Sequence, residues 1–398
     1  MADGHSTLPP TSAAGNLMDG ELSSLLQVWS IAIALICYSY YVASKIPKGL
    51  PRLLSLFPVL FIFLLLPLNL HSFHFGGPTA FFLAWLGNFK LLLFAFDLGP
   101  LTSLPLPSLL HFAAVLCLPI KIKKQKHPEE SKNRRIVEPI VLSVKVLLLA
   151  IIIRLYSYRN RMNPAMIFVL YCLHMYIGIE IVLALCSLPA RAMIGAPIEP
   201  QFNKPYLSTS LQDFWSRRWN LMVPSILRPA VYDPTRSITS RIFRPKWAQF
   251  LAMVVTFAVS GFMHELMYYY FTRVAPTWEV TWFFVLHGVC TAAELAAKAA
   301  VAARKMRWRV PRLVSGPMTV GFLIATARWL MFPQLIRNGV VESTIGEYYV
   351  LVNFMKDKFV WIILEKKKTK KKLIVFFLFN VFNFNDVINQ LSVKLWCN

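Results

Sequence analysis

Val254-Val255-Thr256-Phe257-Ala258-Val259-Ser260-Gly261-Phe262-Met263-His264-Glu265-Leu266-Met267-Tyr268-Tyr269-Tyr270 is the stretch on which the reading of the chain turns. It lies inside an apolar run, 247–273, long enough to cross a bilayer as a helix. A histidine sits within it. A titratable group in hydrocarbon costs free energy, so one found there marks a functional site by default.

The composition agrees with a membrane setting. Of 398 residues, 56% are hydrophobic, and the mean hydropathy is +0.52. A soluble domain of this size has too little interior for that much apolar sequence. Ten apolar runs read as spanning helices: 25–44, 53–70, 79–98, 101–120, 136–153, 164–189, 247–273, 279–302, 315–333 and 347–364. Pro105 and Pro107 interrupt 101–120, which therefore reads as re-entrant or interfacial rather than crossing. The fold class is an all-α polytopic membrane bundle of about eight to ten segments.

The net charge is +23. Nucleic acid is one partner such a balance allows, but the bases fall between apolar runs, as in cytoplasmic loops facing anionic headgroups. Lys45, Lys48 and Arg52, the run 121–135, the segment 190–246, the bases from Arg304 to Arg312, and Lys366–Lys372 all belong in the cytosol by the positive-inside rule. Alternation then works only if 101–120 does not cross. Arg154, Arg159 and Arg161 fall on the lumenal side, against the rule.

The chain divides into a polar tail (1–24), a membrane domain (25–358) containing the cytosolic or interfacial segment 190–246, and an atypical Lys/Phe/Asn-rich tail (359–398). The first span serves as the targeting signal, because the N-terminus lacks a basic n-region. The six cysteines read as free thiols, since none forms a C-x-x-C pair. The segment 190–246 is too long for a simple connection. Its aromatic residues mark an amphipathic, interfacial or partly membrane-buried element packed on the bundle.

Several chemistries lose support. No G-x-G-x-x-G, P-loop or G-x-S-x-G motif occurs. Tyr268 stands where a zincin would place its second histidine. Neither a metal nor a cofactor is expected. His264 alone admits two readings, a catalytic base or a structural hydrogen-bonder. Glu265 lies on a different helix face. His287, His174 and Glu180 are further titratable residues in spans, with structural or tunnel-lining roles open to them. Trp215 and Trp219 lie one turn apart and suit interfacial anchoring or substrate stacking. Arg217 and Arg218 suit headgroups or a CoA phosphate. A neutral imidazole in an apolar site can take a hydroxyl proton as the oxygen attacks a thioester carbonyl. A nearby amide, such as that of Asn220, can hold the hydroxyl or stabilise the oxyanion.

These residues carry a family resemblance. Leu211-Gln212-Asp213-Phe214-Trp215-Ser216-Arg217-Arg218-Trp219-Asn220, then Arg228-Pro229-Ala230-Val231-Tyr232-Asp233-Pro234, then Ser260-Gly261-Phe262-Met263-His264-Glu265 resemble the plant wax synthase-like branch of the membrane-bound O-acyltransferases (MBOAT). Phe283–Gly288 is similar as well, and the resemblance runs from about 25 to about 358. It implies a multi-helix bundle with an internal tunnel, catalytic positions at His264 and Asn220, and acyl-CoA as co-substrate. The implied reaction is transfer of a fatty acyl group to a long-chain fatty alcohol, giving a wax ester and CoA in the endoplasmic reticulum membrane. Trp215, Arg217, Arg218, Trp219, Glu265 and His287 are the accompanying candidates for substrate binding. A sterol or diacylglycerol acceptor, a proton-coupled transporter and an inactive family member are the alternatives. The resemblance stops before the tail.

Overall fold

A computed structural model describes residues 11–102, 108–119, 128–194, 198–304 and 310–365. Among them fifteen α-helices and no strand elements occur. In order they are α1 (Thr11–Tyr41), α2 (Leu50–Leu65), α3 (Phe73–Ala80), α4 (Asn88–Ala95), α5 (Leu109–Cys117), α6 (Pro128–Leu155), α7 (Pro164–Ile194), α8 (Leu211–Arg217), α9 (Met222–Leu227), α10 (Asp233–Thr239), α11 (Pro245–Thr272), α12 (Glu279–Ala303), α13 (Arg312–Thr326), α14 (Pro333–Arg337) and α15 (Val340–Glu365). A π-helical stretch, Phe81–Gly87, joins α3 to α4; others span Arg228–Tyr232 and Ala327–Met331. Residues 1–10, the basic runs at 121–127 and 305–309, and the tail from 366 lie outside the described residues.

Eight helical segments are long and apolar enough to cross a bilayer: Asp19–Lys45, Leu50–Asn69, Phe73–Ala95, Pro139–Arg161, Pro164–Leu188, Pro245–Thr272, Glu279–Ala303 and Arg312–Met331. They match eight of the ten apolar runs. The first helix begins at Thr11, inside the stretch read as a tail. Among the described residues, the run 101–120 yields only the nine-residue α5, about 13 Å of helix, too short to cross. Removing it restores the alternation of basic loops as far as Arg312. α15 is 26 residues long but too polar to join the eight.

Apolar residues face both ways. On α2, Leu56, Val59 and Phe63 are buried, whereas Leu50, Leu54, Phe57 and Phe61 are each more than half exposed. Large side chains on the outer stripe of a helix belong against lipid tails.

Several helix ends lie within the bundle, and side chains from other helices cap them. Lys90 is fully buried, and its ammonium donates to the carbonyls of Val115, Leu116 and Leu118 at 2.6, 3.2 and 2.8 Å, closing the C-terminus of α5. At the start of α3, Glu347 accepts from the backbone N–H groups of Phe73 (2.7 Å) and His74 (3.0 Å) and from the Ser72 hydroxyl (2.8 Å), and pairs with His74 Nδ1. Glu347 thereby ties α15 to the third span. Arg159, out of place by the charge rule, lies 3.6 Å from Glu342 of α15. Arg52 donates to Asp97 at 2.7 Å, and this hydrogen bond holds the Asp97 carboxyl below its usual range.

The tightest seam joins α11 to α12. A Cβ on Gly261 would lie 2.8 Å from the Thr281 Cα, and one on Gly288 would lie 2.8 Å from the Phe257 Cβ. Small residues let two backbones approach this closely inside a membrane. Glu265, one turn beyond Gly261, accepts from the Thr281 N–H (3.2 Å) and hydroxyl (3.3 Å) and caps the start of α12.

Lys90→Met should lower the thermal stability of the detergent-purified protein by about 1–3 kcal/mol, because it strands buried carbonyls. Lys90→Gln, which keeps a donor, should recover part of the loss. Equal unfolding temperatures for Lys90→Met and the parent would remove the capping role.

Candidate active site

The first α-helix of the segment 198–244, α8, packs against the bundle. Ser210 starts α8 by accepting from the Asp213 N–H at 3.2 Å, an N-cap that satisfies one orphan donor of the first turn. Glu294 of α12 accepts from the Gln212 N–H at 3.3 Å, and Lys298 donates to the Gln212 side chain at 3.0 Å. Three residues further along α8, the Trp215 indole donates to His287 Nδ1 at 3.1 Å. His287 lies eleven residues from Lys298 along α12, about 16 Å. α8 therefore packs along α12, and its tryptophan reaches the buried His287.

His287 is fully buried, and both its ring nitrogens are engaged. Because the Trp215 N–H can only donate, Nδ1 accepts. Nε2 then carries the hydrogen and meets the Thr326 hydroxyl at 2.9 Å. Thr326 in turn donates to the Phe322 carbonyl at 2.8 Å. The chain of bonds links α8, α12 and α13. His174 is similarly enclosed, between Tyr156 (3.2 Å) and Tyr348 (3.3 Å).

His264 is arranged differently. Its Nδ1 lies 2.7 Å from the Ser260 carbonyl. A carbonyl can only accept, so Nδ1 carries the hydrogen and Nε2 keeps its lone pair. The ring lies over Phe284, with centroids 4.2 Å apart and planes 33° apart. Phe284 touches Trp215 (5.6 Å), and Trp215 touches His287 (5.6 Å). His264 and His287 are thus joined by a run of rings but hold opposite tautomers.

Asn220 follows α8 in the left-handed region, at φ +36°. Asparagine tolerates this conformation better than most residues, and such strain collects at functional sites. Its side-chain oxygen is buried with no hydrogen-bond partner among the described residues. Its chain neighbours Trp219 and Met222 pack in one apolar cluster with Met263, Val259 and Leu266 of α11. Trp219 stacks on Phe214 (5.2 Å, 21°) and lies near Tyr176 (6.0 Å). The sequence motifs around Asn220 and His264 therefore meet across a shared core.

Most of the other candidate residues are engaged by the protein itself. Arg218 donates to Asp213 at 2.7 Å and to the Asn203 and Lys204 carbonyls at 3.3 Å. Glu265 binds Thr281, and Trp215 binds His287. Arg217 is exposed. Glu180 pairs with Lys145 of α6. Sequence reading gave no role to Ser260 or Phe284 beyond their place in the quoted motifs, and none to Thr326 or Lys90; Lys90 carried a signal, as a single cation in an apolar run.

Comparison with known proteins supplies the class. Residues 198–286 match the membrane bound O-acyl transferase family. A long-chain-alcohol O-fatty-acyltransferase of Simmondsia chinensis is 49% identical over 347 residues, covering 86% of this chain and 97% of the relative. A probable long-chain-alcohol O-fatty-acyltransferase of Arabidopsis thaliana is 45% identical, covering 87% of this chain and 99% of the relative. An acyl-CoA–sterol O-acyltransferase of Arabidopsis thaliana is 43% identical, covering 84% of this chain and 96% of the relative. The chain belongs to the membrane-bound O-acyltransferase family and is a multi-pass membrane O-acyltransferase. A transporter reading, with Glu180, His264 and Glu265 relaying protons, falls away with that membership.

Trp215→Phe and His287→Phe should each destabilise the protein, and the double variant should lose less than the sum. A coupling of about 0.5–3 kcal/mol is expected for a shared hydrogen-bond chain. Thermal unfolding of the four proteins measures it, and strict additivity would break the link.

Proposed function

We propose that the chain transfers a fatty acyl group from acyl-CoA to a long-chain fatty alcohol, forming a wax ester and free CoA in the endoplasmic reticulum membrane. The observation that carries the chemistry is the His264 tautomer: the Ser260 carbonyl occupies Nδ1, and Nε2 remains a lone-pair acceptor. Nε2 takes the hydroxyl proton as the alcohol oxygen attacks the thioester carbonyl. The tetrahedral intermediate collapses, the C–S bond breaks, and the CoA sulfur leaves as thiolate. The imidazolium returns the proton to that sulfur. The amide of Asn220, strained and with a buried unpartnered oxygen, holds the reacting hydroxyl or the oxyanion through its two ends. No covalent acyl-enzyme or metal is part of this sequence.

The alcohol acceptor is favoured by relatives named for that reaction. A sterol acceptor is the second reading, because a sterol acyltransferase shows nearly the same identity over nearly the same length. Both acceptors present one hydroxyl on a large apolar body, so the same base serves either, and the shape of the acceptor's channel selects between them.

Expression in yeast lacking its own neutral-lipid acyltransferases, with labelled acyl-CoA and fatty alcohol, sterol and diacylglycerol offered in parallel, tests this. Wax ester should form with the parent chain. His264→Ala should lower turnover at least about 10²-fold, the scale of general-base catalysis, at unchanged abundance. Sterol ester or triacylglycerol as the product would change the acceptor. Full activity in His264→Ala would reject the base, and no product from well-folded protein would favour an inactive family member.

A further inference from the structure

The corner where α10 turns into α11 holds an uncovered surface away from the site. Residues 236–247 contain Arg236, Arg241, Arg244 and Lys246 and no acidic residue. All four cations are exposed, and none has an ion-pair partner among the described residues; the nearby pair Arg228–Asp233, at 3.7 Å, lies before them. Interleaved with the cations are Ile238, Ile242, Phe243 and Trp247, between 47% and 74% exposed. The positive-inside rule puts this corner on the cytosolic side, where α11 enters the bilayer at Pro245. Uncovered cations alternating with uncovered aromatic and aliphatic side chains form the pattern of a surface lying in the headgroup layer.

We propose that this corner binds anionic phospholipid headgroups and that their binding raises acyl-transfer activity. Charge complementarity selects the partner, since four free cations without a carboxylate are drawn to lipid of net negative charge over zwitterionic lipid. The chain passes from Asn220 to His264 through this corner. α10 and the Arg228–Tyr232 stretch both pack along α11. A headgroup held by Arg241, Arg244 and Lys246 therefore fixes α10 against α11, and with it the placement of the Asn220 segment relative to His264. The activity half of the proposal rests on the acyl-transfer reading; the binding half does not.

The test uses the purified full chain in nanodiscs of phosphatidylcholine with or without phosphatidylserine, against the variant Arg241→Gln/Arg244→Gln/Lys246→Gln. Native mass spectrometry counts the phosphatidylserine retained, independently of turnover. Acyl-transfer rate and the KM for acyl-CoA are read in the same discs. The parent chain should retain phosphatidylserine over phosphatidylcholine, with about a fivefold loss of affinity per cation removed. Its rate should rise several-fold with phosphatidylserine, and the variant should match the parent's rate in phosphatidylcholine but respond to neither lipid. Equal phosphatidylserine retention by both proteins overturns the surface. Lost retention with an unchanged rate response overturns the activating role. A raised KM for acyl-CoA in phosphatidylcholine, with retention intact, assigns the cations to the CoA phosphates and also overturns the proposal. Differential retention with no turnover in any disc keeps the headgroup surface and rejects the acyl-transfer reading instead.

Discussion

A helix end packed among other helices leaves backbone N–H or C=O groups that water reaches poorly, and this protein answers that constraint with charged side chains borrowed from neighbouring helices. Lys90 closes the C-terminus of α5, while Glu347, Glu294 and Glu265 sit at the starts of α3, α8 and α12. The signs follow the helix dipole, with the cation at a C-terminus and the carboxylates at N-termini. Each cap also ties distant parts of the chain together. Glu347 fastens α15 to the third span, and Glu265 locks the α11–α12 seam beside His264.

The caps fix an irregular segment against the bundle. α8 packs along α12 because Glu294 and Lys298 hold its first turn and His287 receives Trp215 further in. Non-helical backbone survives at membrane depth only when enclosed by protein. The strained turn at Asn220 is enclosed in this way. His287 and His264 differ in consequence: His287 is consumed by Trp215 on one nitrogen and by Thr326 on the other, and His264 is held on one nitrogen only. The same residue type acts as a structural connector in one place and stands available for proton transfer in the other, and the partner on Nδ1 decides which.

Much of this was legible in the sequence. Apolar runs near 20 residues require spans, and the loss of alternation between basic loops correctly isolated 101–120 as the stretch that fails to cross. His264 and Asn220 stood out by their setting and by the family motifs. What stayed hidden depends on approach between distant segments. Nothing local to Trp215 says that it meets His287, 72 residues on, rather than the headgroup layer. The tautomer of His264 depends on the Ser260 carbonyl, and a backbone atom has no sequence signature. Glu347 and Lys90 read as misplaced charges until the helix ends they serve are in view. Arg159 is similar, since Glu342 compensates a charge that the topology rule disfavours.

The central claim is that His264 Nε2 and the Asn220 amide act on one reacting centre. A cryo-EM structure of the protein with a non-reactive thioether analogue of acyl-CoA and a fatty alcohol tests it most directly. The account predicts the alcohol oxygen within about 3 Å of His264 Nε2, hydrogen-bond reach for a general base, with the Asn220 side chain at the same hydroxyl or at the carbonyl position. A hydroxyl seated against His287 or Glu180, with His264 Nε2 touching neither substrate, would contradict it.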